Sequence, residues 1–142
     1  MEFWEYNEHN IDGKGRLVLP SSFRSAFDKG GVLTFQGSYV ALHEPAGWDK
    51  ALRRMEGSGE YTKRELMYVK SFVTPFTPDA QNRVMIPTRL RERVGLEREV
   101  ALIGMGGHVA IYPREVWKDL EAELGAGVDG RPSLTDRLSE ML

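Results

Sequence analysis

The chain contains no cysteine among its 142 residues. A disulfide framework, a thiolate zinc site and a thiol nucleophile are therefore excluded. The longest apolar stretch, VALIGMGGHVAIY at residues 100–112, is interrupted by three glycines and is too short to cross a bilayer. The first ten residues, MEFWEYNEHN, lack the basic and apolar regions of a secretory signal. We therefore expect a cytoplasmic protein with no membrane partner.

Recognisable catalytic and metal-binding motifs are also missing. His9, His43 and His108 are scattered along the chain without metal-ligand spacing, and we expect structural or surface roles for them. The stretch DGKGR lacks the frame of a phosphate-binding P-loop, and Ser21 and Ser22 follow a proline without a nucleophile-elbow pattern. We expect no enzymatic activity, no cofactor and no metal ion.

The chain also lacks an excess of positive charge, because it has 19 lysines and arginines and 21 aspartates and glutamates. A net charge of −2 is unusual for a nucleic-acid-binding protein, which ordinarily has a basic balance. Any nucleic-acid site must therefore depend on where the basic residues are concentrated. The overall composition, 41% apolar and 28% charged, is that of a globular protein.

What the sequence does contain is an internal repeat, which has to be recognised before a fold is assigned. The nonapeptide DGKGRLVLP at residues 12–20 returns as DAQNRVMIP at residues 79–87. The alignment pairs side chains of similar type: Asp12 with Asp79, Arg16 with Arg83, Leu17 with Val84, Leu19 with Ile86, Pro20 with Pro87, Phe23 with Leu90, Arg24 with Arg91, and Trp48 with Trp117.

Each copy predicts the same series of elements. A turn that needs positive φ, at Gly13 and Gly15 or at Asn82, leads into a short strand. Proline then opens a short helix, and a glycine-joined hairpin and a final helix follow. Apolar residues at helical spacing should line one face of these helices: Phe23 and Phe27, Leu90 and Val94, Trp48 with Leu52 and Met55, and Trp117 with Leu120 and Leu124.

The predicted fold is mainly β with short helices (α+β), formed by two interleaved repeats. A half of about 70 residues buries only roughly 60% of its surface, and interleaved hairpins would remove free strand edges in one small β-barrel. Thr62 and Glu65 predict a capping box at the start of a connecting helix. The predicted segments are a first repeat (3–56), the connecting helix (57–71), a second repeat (72–124), and a flexible linker with a short C-terminal helix (125–142).

Three stretches resemble the MraZ family, bacterial proteins with two AbrB-type swapped-hairpin modules in one chain. They are EHNIDGKGRLVLPSSFR (8–24), YVALHEPAGW (39–48) and DAQNRVMIPTRLRERVGL (79–96), and the likeness runs from about residue 3 to residue 120. The resemblance implies a pseudo-twofold swapped-hairpin β-barrel of the AbrB type with peripheral helices.

The resemblance also implies a function. It points to a sequence-specific transcriptional regulator, associated with the nucleoid, that binds double-stranded DNA at tandem promoter repeats of the division and cell-wall gene cluster. The resemblance implies that the protein also binds copies of itself and forms a ring-shaped homo-oligomer, for example an octamer. The family's Asp-x-x-x-Arg signature falls on Asp12 and Arg16 and again in the second copy, where Gln81 and Asn82 replace the usual Lys-Gly or Gln-Gly pair.

Basic residues gather on the repeated segments. The net charge is +2 over residues 12–24 and +2 over residues 79–98, whereas residues 115–142 carry −4. The local field, rather than the net charge, decides phosphate attraction. The candidate DNA-binding residues are Lys14, Arg16, Arg83, Arg24 and Arg91, with Asp12 and Asp79 as turn-orienting residues.

Two alternatives stay open at this stage. Arg16 and Arg83 could pair with Asp12 and Asp79 to hold the turns, with or without contacting DNA. The tail, with Leu134, Leu138 and Met141 or Leu142 at helical spacing behind Ser133 and Asp136, predicts an appended helix. That helix could instead grip a partner, as in an antitoxin-like protein-interaction module. Arg89, Arg93 and Arg98 are interpreted as surface charges.

Overall fold

The computed structural model describes residues 2–126 and 132–141, so residues 127–131 of the predicted linker and Leu142 lie outside the described residues. Within these ranges, the predicted strands and helices follow one another in the order expected of two repeats, and each repeat also begins with a short strand that the sequence analysis did not predict. The elements are β1 (Tyr6–Asn10), β2 (Arg16–Val18), α1 (Ser21–Phe27), β3 (Gly31–Gln36), β4 (Tyr39–His43), α2 (Pro45–Ser58), α3 (Lys63–Lys70), β5 (Thr74–Phe76), β6 (Arg83–Met85), α4 (Thr88–Val94), β7 (Glu99–Gly104), β8 (Val109–Pro113), α5 (Arg114–Ala126) and α6 (Leu134–Met141).

The main sheet has a palindromic strand order. Six antiparallel strands lie in the order β1-β7-β8-β4-β3-β5. Exchanging each strand for its counterpart in the other repeat reverses this order. The outer strands are swapped, because β1 pairs with β7 of the second repeat and β5 pairs with β3 of the first. Neither repeat could complete this sheet alone, so the two repeats are intertwined as predicted, but the parts that cross are β1 and β5, whereas the hairpins β3–β4 and β7–β8 lie side by side rather than interleaved.

Two central ladders mark the pseudo-twofold axis. In the sheet, β4 pairs with β8 so that Ala41 lies opposite its own counterpart Ala110. In a separate two-stranded ribbon, β2 pairs with β6 so that Leu17 lies opposite its counterpart Val84. The predicted closed β-barrel is not found among the described residues: the ladders form this sheet and this ribbon, and β1 and β5 remain as the edges of the sheet. The α+β class is confirmed, and Pro75, which lacks an N–H, stands in the edge strand β5.

The hydrophobic core lies between the sheet and the ribbon. The ribbon contributes residues that are almost fully buried, as do α1 and α4 and the inner face of the sheet. These residues are Leu17, Leu19, Val84 and Ile86 from the ribbon segments, Phe23, Phe27 and Leu90 from the helices, and Leu33, Val40, Leu42, Val100, Leu102, Val109 and Ile111 from the sheet. The predicted faces of α1 and α4 are confirmed. Pro20 and Pro87 occupy the N-cap positions, one residue earlier than predicted.

Helices α2 and α5 cover the opposite face of the sheet. Around Ala41 and Ala110, four rings from β4, from β8 and from the turn before β8 meet: Tyr39, His43, His108 and Tyr112. Trp48 of α2 packs on His43, and Trp117 of α5 packs on Tyr112. We call these six side chains the aromatic cluster. His43 and His108 are far apart in the sequence, yet their ring centroids lie 4.9 Å apart because the β4–β8 pairing joins the repeats.

Arg114, at the start of α5, ties that helix to the sheet and was not singled out from the sequence. Its guanidinium donates hydrogen bonds to the carbonyl oxygens of His9 (2.7 Å) and Val100 (3.3 Å) and to Glu99 Oε2 (3.0 Å). A fourth bond, at 3.3 Å, goes to Asn10 Oδ1. The acceptors come from β1 and β7, so one side chain fastens strands of both repeats under the helix.

The remaining helices agree with the sequence patterns. The capping box of α3 is present: Glu65 N donates to Thr62 Oγ1 (3.1 Å), and Thr62 N donates to Glu65 Oε1 (2.8 Å). The predicted C-terminal helix corresponds to α6, where Asp136 N donates to Ser133 Oγ at 3.2 Å. The predicted division into segments at 3–56, 57–71, 72–124 and 125–142 stays a prediction.

The aromatic cluster predicts a loss of stability in acid. Burial, with the charge of His108 as the second cause, lowers the pKa of His43 from 6.5 to about 4. A histidine whose pKa is lower in the folded state binds protons more readily when unfolded. The free energy of unfolding should therefore fall as pH drops from about 6.5 towards 4, by on the order of 1 kcal/mol between pH 7 and 5.5.

Urea unfolding at pH 7 and pH 5.5 measures this loss. In His43→Phe, which keeps the ring but cannot titrate, the difference between the two pH values should shrink. The same difference in the wild type and in this variant would show that His43 is not the group responsible.

Candidate nucleic-acid interface

The first Asp-x-x-x-Arg turn is held by its aspartate. Asp12 Oδ1 accepts hydrogen bonds from the backbone N–H groups of Lys14 and Arg16, both at 2.9 Å. Asp12 Oδ2 accepts a hydrogen bond from Arg16 Nε at 2.7 Å. Backbone bonds from Asp12 N to Arg16 O (2.9 Å) and from Gly15 N to Asp12 O (3.0 Å) close the loop.

The second turn repeats this geometry. Asp79 Oδ1 accepts from the backbone N–H groups of Gln81 and Arg83 at 2.9 Å, and Asp79 Oδ2 accepts from Arg83 Nε at 2.7 Å. The positive φ required by the turn falls on Gly15 in the first copy (80°) and on Asn82 in the second (59°). Replacing the Lys-Gly pair by Gln81 and Asn82 therefore leaves the turn unchanged.

Both aspartates are acids of lowered pKa. The hydrogen bond from the backbone N–H of Arg16 is the largest cause for Asp12, and the corresponding bond from Arg83 is the largest for Asp79. Both carboxylates therefore stay ionised at lower pH than an ordinary aspartate and hold the guanidinium groups beside them.

This pairing is the alternative that the sequence left open, and it occupies only one side of each guanidinium. The bonds use Nε, and no described residue accepts a hydrogen bond from the terminal nitrogens of Arg16 or Arg83. An arginine held in this way presents its terminal N–H groups in a fixed direction, which suits bidentate recognition of phosphate or of a base edge.

The ribbon places both arginines on one exposed face. Leu17 and Val84 point into the core, and neighbouring strand residues project to the opposite side. The outer face therefore carries four side chains: Arg16, Val18, Arg83 and Met85. The two arginines are diagonal neighbours across the ladder, roughly 7–8 Å apart. Their side chains keep 26% and 27% of their surface exposed. Val18 and Met85 were not singled out from the sequence as surface residues.

Arg91 lies across the boundary between the repeats. Its Nε donates to Ile86 O (2.9 Å) and its Nη2 to Thr88 Oγ1 (2.9 Å). Its guanidinium also packs against the first turn, because a Cβ atom placed on Gly15 would lie 2.9 Å from Arg91 Cζ. In the first repeat, Arg24 Nε donates to Leu19 O at 3.0 Å.

Backbone hydrogen bonds lock each turn to the opposite repeat. Leu19 N donates to Asn82 O (2.9 Å), and Ile86 N donates to Gly15 O (2.8 Å). The two turns therefore form one unit rather than two independent loops. At the tip of the first turn Lys14 is exposed, and its ammonium group has no ion-pair partner in the part of the chain that the structure describes.

Two of the arginines that were interpreted as surface charges have packing roles. Arg89 Nη1 donates to Ser71 O (2.7 Å), and its Cζ lies 3.7 Å from the centroid of the Phe72 ring. Arg93 Cζ lies 5.3 Å from the centroid of the Phe35 ring. Sequence spacing could not reveal these contacts, because α3 and β3 meet α4 only in the folded chain.

Among residues 2–126 and 132–141, no three histidine or acidic side chains are arranged to hold a metal ion. Over the same residues, no helix combines the length and the apolar character that a membrane span requires.

Comparison with known proteins supplies the family. The model of the MraZ protein family, which carries the description antitoxin-like, matches residues 3–67 and 74–129. Several relatives bear the name transcriptional regulator MraZ, among them the following three. That of Desulfosudis oleivorans is 34% identical over 78% of this chain and 80% of its own. That of Thermomicrobium roseum is 33% identical over 94% of this chain and 95% of its own. That of Clavibacter michiganensis is 34% identical over 77% of this chain and 79% of its own. With both repeats matched and relatives aligned over most of its length, the chain belongs to the MraZ family.

Proposed function

We propose that this protein is a transcriptional regulator that binds double-stranded DNA through the outer face of the β2–β6 ribbon. The observation that carries the proposal is the placement of Arg16 and Arg83 on one exposed face, each oriented by its own aspartate. The name transcriptional regulator, which the relatives bear, agrees with this assignment.

The dimensions of the ribbon suit the major groove. Its strands lie about 4.8 Å apart, and a groove about 12 Å wide admits a two-stranded ribbon. Terminal N–H groups of Arg16 and Arg83 could donate as a pair to guanine O6 and N7. Lys14, Arg24 and Arg91 lie beside the two turns, where phosphate contacts would fix the register of the protein on the duplex.

We infer that the DNA consists of short tandem repeats in the promoter of the division and cell-wall gene cluster, and that the protein binds there within the nucleoid as a ring-shaped homo-oligomer such as an octamer. One face per subunit binds weakly, and several faces on one ring gain through effective concentration. Selection of bound sequences from random duplex DNA, with mass measurement of the complex, tests both parts.

Removing the two arginines should abolish specific binding. In Arg16→Ala/Arg83→Ala, the loss of two bidentate contacts worth roughly 1–3 kcal/mol each should weaken binding of the selected duplex at least about thirtyfold. Fluorescence anisotropy titration measures the affinity, and circular dichroism checks that the variant is folded.

The matched control is Arg53→Ala/Arg54→Ala, which removes two exposed arginines from α2 on the opposite side of the sheet. It should bind like the wild type. Equal affinities of the folded ribbon variant and this control would exclude the ribbon face as the interface.

A phosphate contact at the turn tip has its own signature in salt dependence. If Lys14 contacts one phosphate, Lys14→Ala should flatten the slope of log affinity against log salt concentration by about 0.9, with the sequence preference kept. Affinity titrations at salt concentrations from about 50 to about 200 mM measure this slope. A slope equal to that of the wild type would place Lys14 outside the contact region.

A second candidate function is an antitoxin-like interaction module that uses the C-terminal helix. Leu138 and Met141 of α6 are exposed, Met141 by 84%, and the family description includes antitoxin-like. A pull-down with the full chain and with a chain ending at residue 126 separates the two functions. A partner lost on truncation, together with no selectable DNA, would favour this second function, whereas selectable DNA that both chains bind would favour the first.

A further inference from the structure

Two exposed apolar side chains occupy the centre of the ribbon face. Val18 is 39% exposed and Met85 is 50% exposed, although both stand on a short ladder whose other face is fully buried. They are counterparts in the two repeats, so both repeats place an apolar residue two positions after the signature arginine. The inference drawn from them rests on the proposed DNA-binding function.

The register places each apolar side chain beside an arginine. Met85 lies opposite Arg16, and Val18 lies opposite Arg83. Directly opposed side chains of an antiparallel pair have Cβ atoms about 5 Å apart. Since base pairs repeat about every 3.4 Å along the duplex, an arginine that reaches one base edge brings its apolar neighbour against the same base pair or the next.

An apolar group needs an apolar partner in the groove. Of the four bases, thymine alone presents a methyl group in the major groove, whereas cytosine presents an N–H donor there. A valine or methionine pressed against that donor would leave it without an acceptor, which costs binding free energy. The positive charges beside these side chains favour nucleic acid over an uncharged protein surface as the occupant of this face.

We propose that Val18 and Met85 contact thymine methyl groups in the major groove and set base preference next to the positions read by Arg16 and Arg83. The two contacts differ in stiffness. Val18 is β-branched and has one preferred rotamer in many settings, whereas Met85 has three rotatable bonds. The preference for thymine is therefore stricter at the base pair facing Val18.

Replacing thymine by uracil in the selected duplex tests the proposal, because it removes the methyl group and nothing else. Burial of one methyl group is worth about a fourfold change in affinity, so the wild type should lose about fourfold for each contacted thymine. Val18→Ala/Met85→Ala should bind the two duplexes with the same affinity. Its salt dependence should match that of the wild type, because these side chains touch no phosphate.

The matched control is Met67→Ala, which truncates an exposed methionine on α3, outside the ribbon. It should discriminate between thymine and uracil like the wild type. The proposal is overturned if the wild type binds the thymine and uracil duplexes equally, or if the double variant still distinguishes them. It is also overturned if the selected sequence contains no thymine next to the bases that Arg16 and Arg83 contact.

Failure of this proposal can be told apart from failure of the proposed function. Binding that depends on Arg16 and Arg83 but is insensitive to uracil refutes only the role of Val18 and Met85. Binding that is unaffected by Arg16→Ala/Arg83→Ala refutes the ribbon face itself, and the inference fails with it.

Discussion

The pairing of the two repeats across one pseudo-twofold axis is the constraint on which the rest of the structure depends. Strand β2 finds its only ladder partner among the described strands in β6 of the other repeat, and the edge strands β1 and β5 are likewise exchanged. Burial of Leu17 against Val84 holds the ribbon to the core. Because side chains alternate along a strand, the same burial forces Arg16 and Arg83 outward on one face.

Electrostatics on that face are arranged locally. Each aspartate gathers two backbone N–H groups and one guanidinium, and its lowered pKa keeps the arrangement ionised near neutral pH. The arginine is thereby oriented before any ligand arrives, which reduces the entropy lost on binding. A chain with a net charge of −2 can still present a basic face, because its acidic excess lies in residues 115–142.

The opposite face of the sheet has a different chemistry. Beneath α2 and α5, rings from both repeats surround the axis, and Arg114 joins α5 to β1 and β7. The lowered pKa of His43 follows from this burial. The sheet separates the aromatic cluster from the ribbon. Protonation of His43 therefore lowers the stability of the fold from one side of the sheet, while the proposed DNA contacts lie on the other side.

The sequence by itself determined the repeat and the local elements, since the turns, the helices behind Pro20 and Pro87 and the capping box at Thr62 are short-range patterns. Only the tertiary structure decided which strands pair, which distant side chains meet, and that each signature arginine binds its own aspartate. The contact of His43 with His108, the packing of Arg91 on Gly15 and the exposure of Val18 and Met85 depend on strand pairing between residues far apart in the chain. Burial across the pseudo-twofold axis sets which strands pair and in which register. Because the paired segments are far apart in the chain, no spacing in the sequence predicts these contacts.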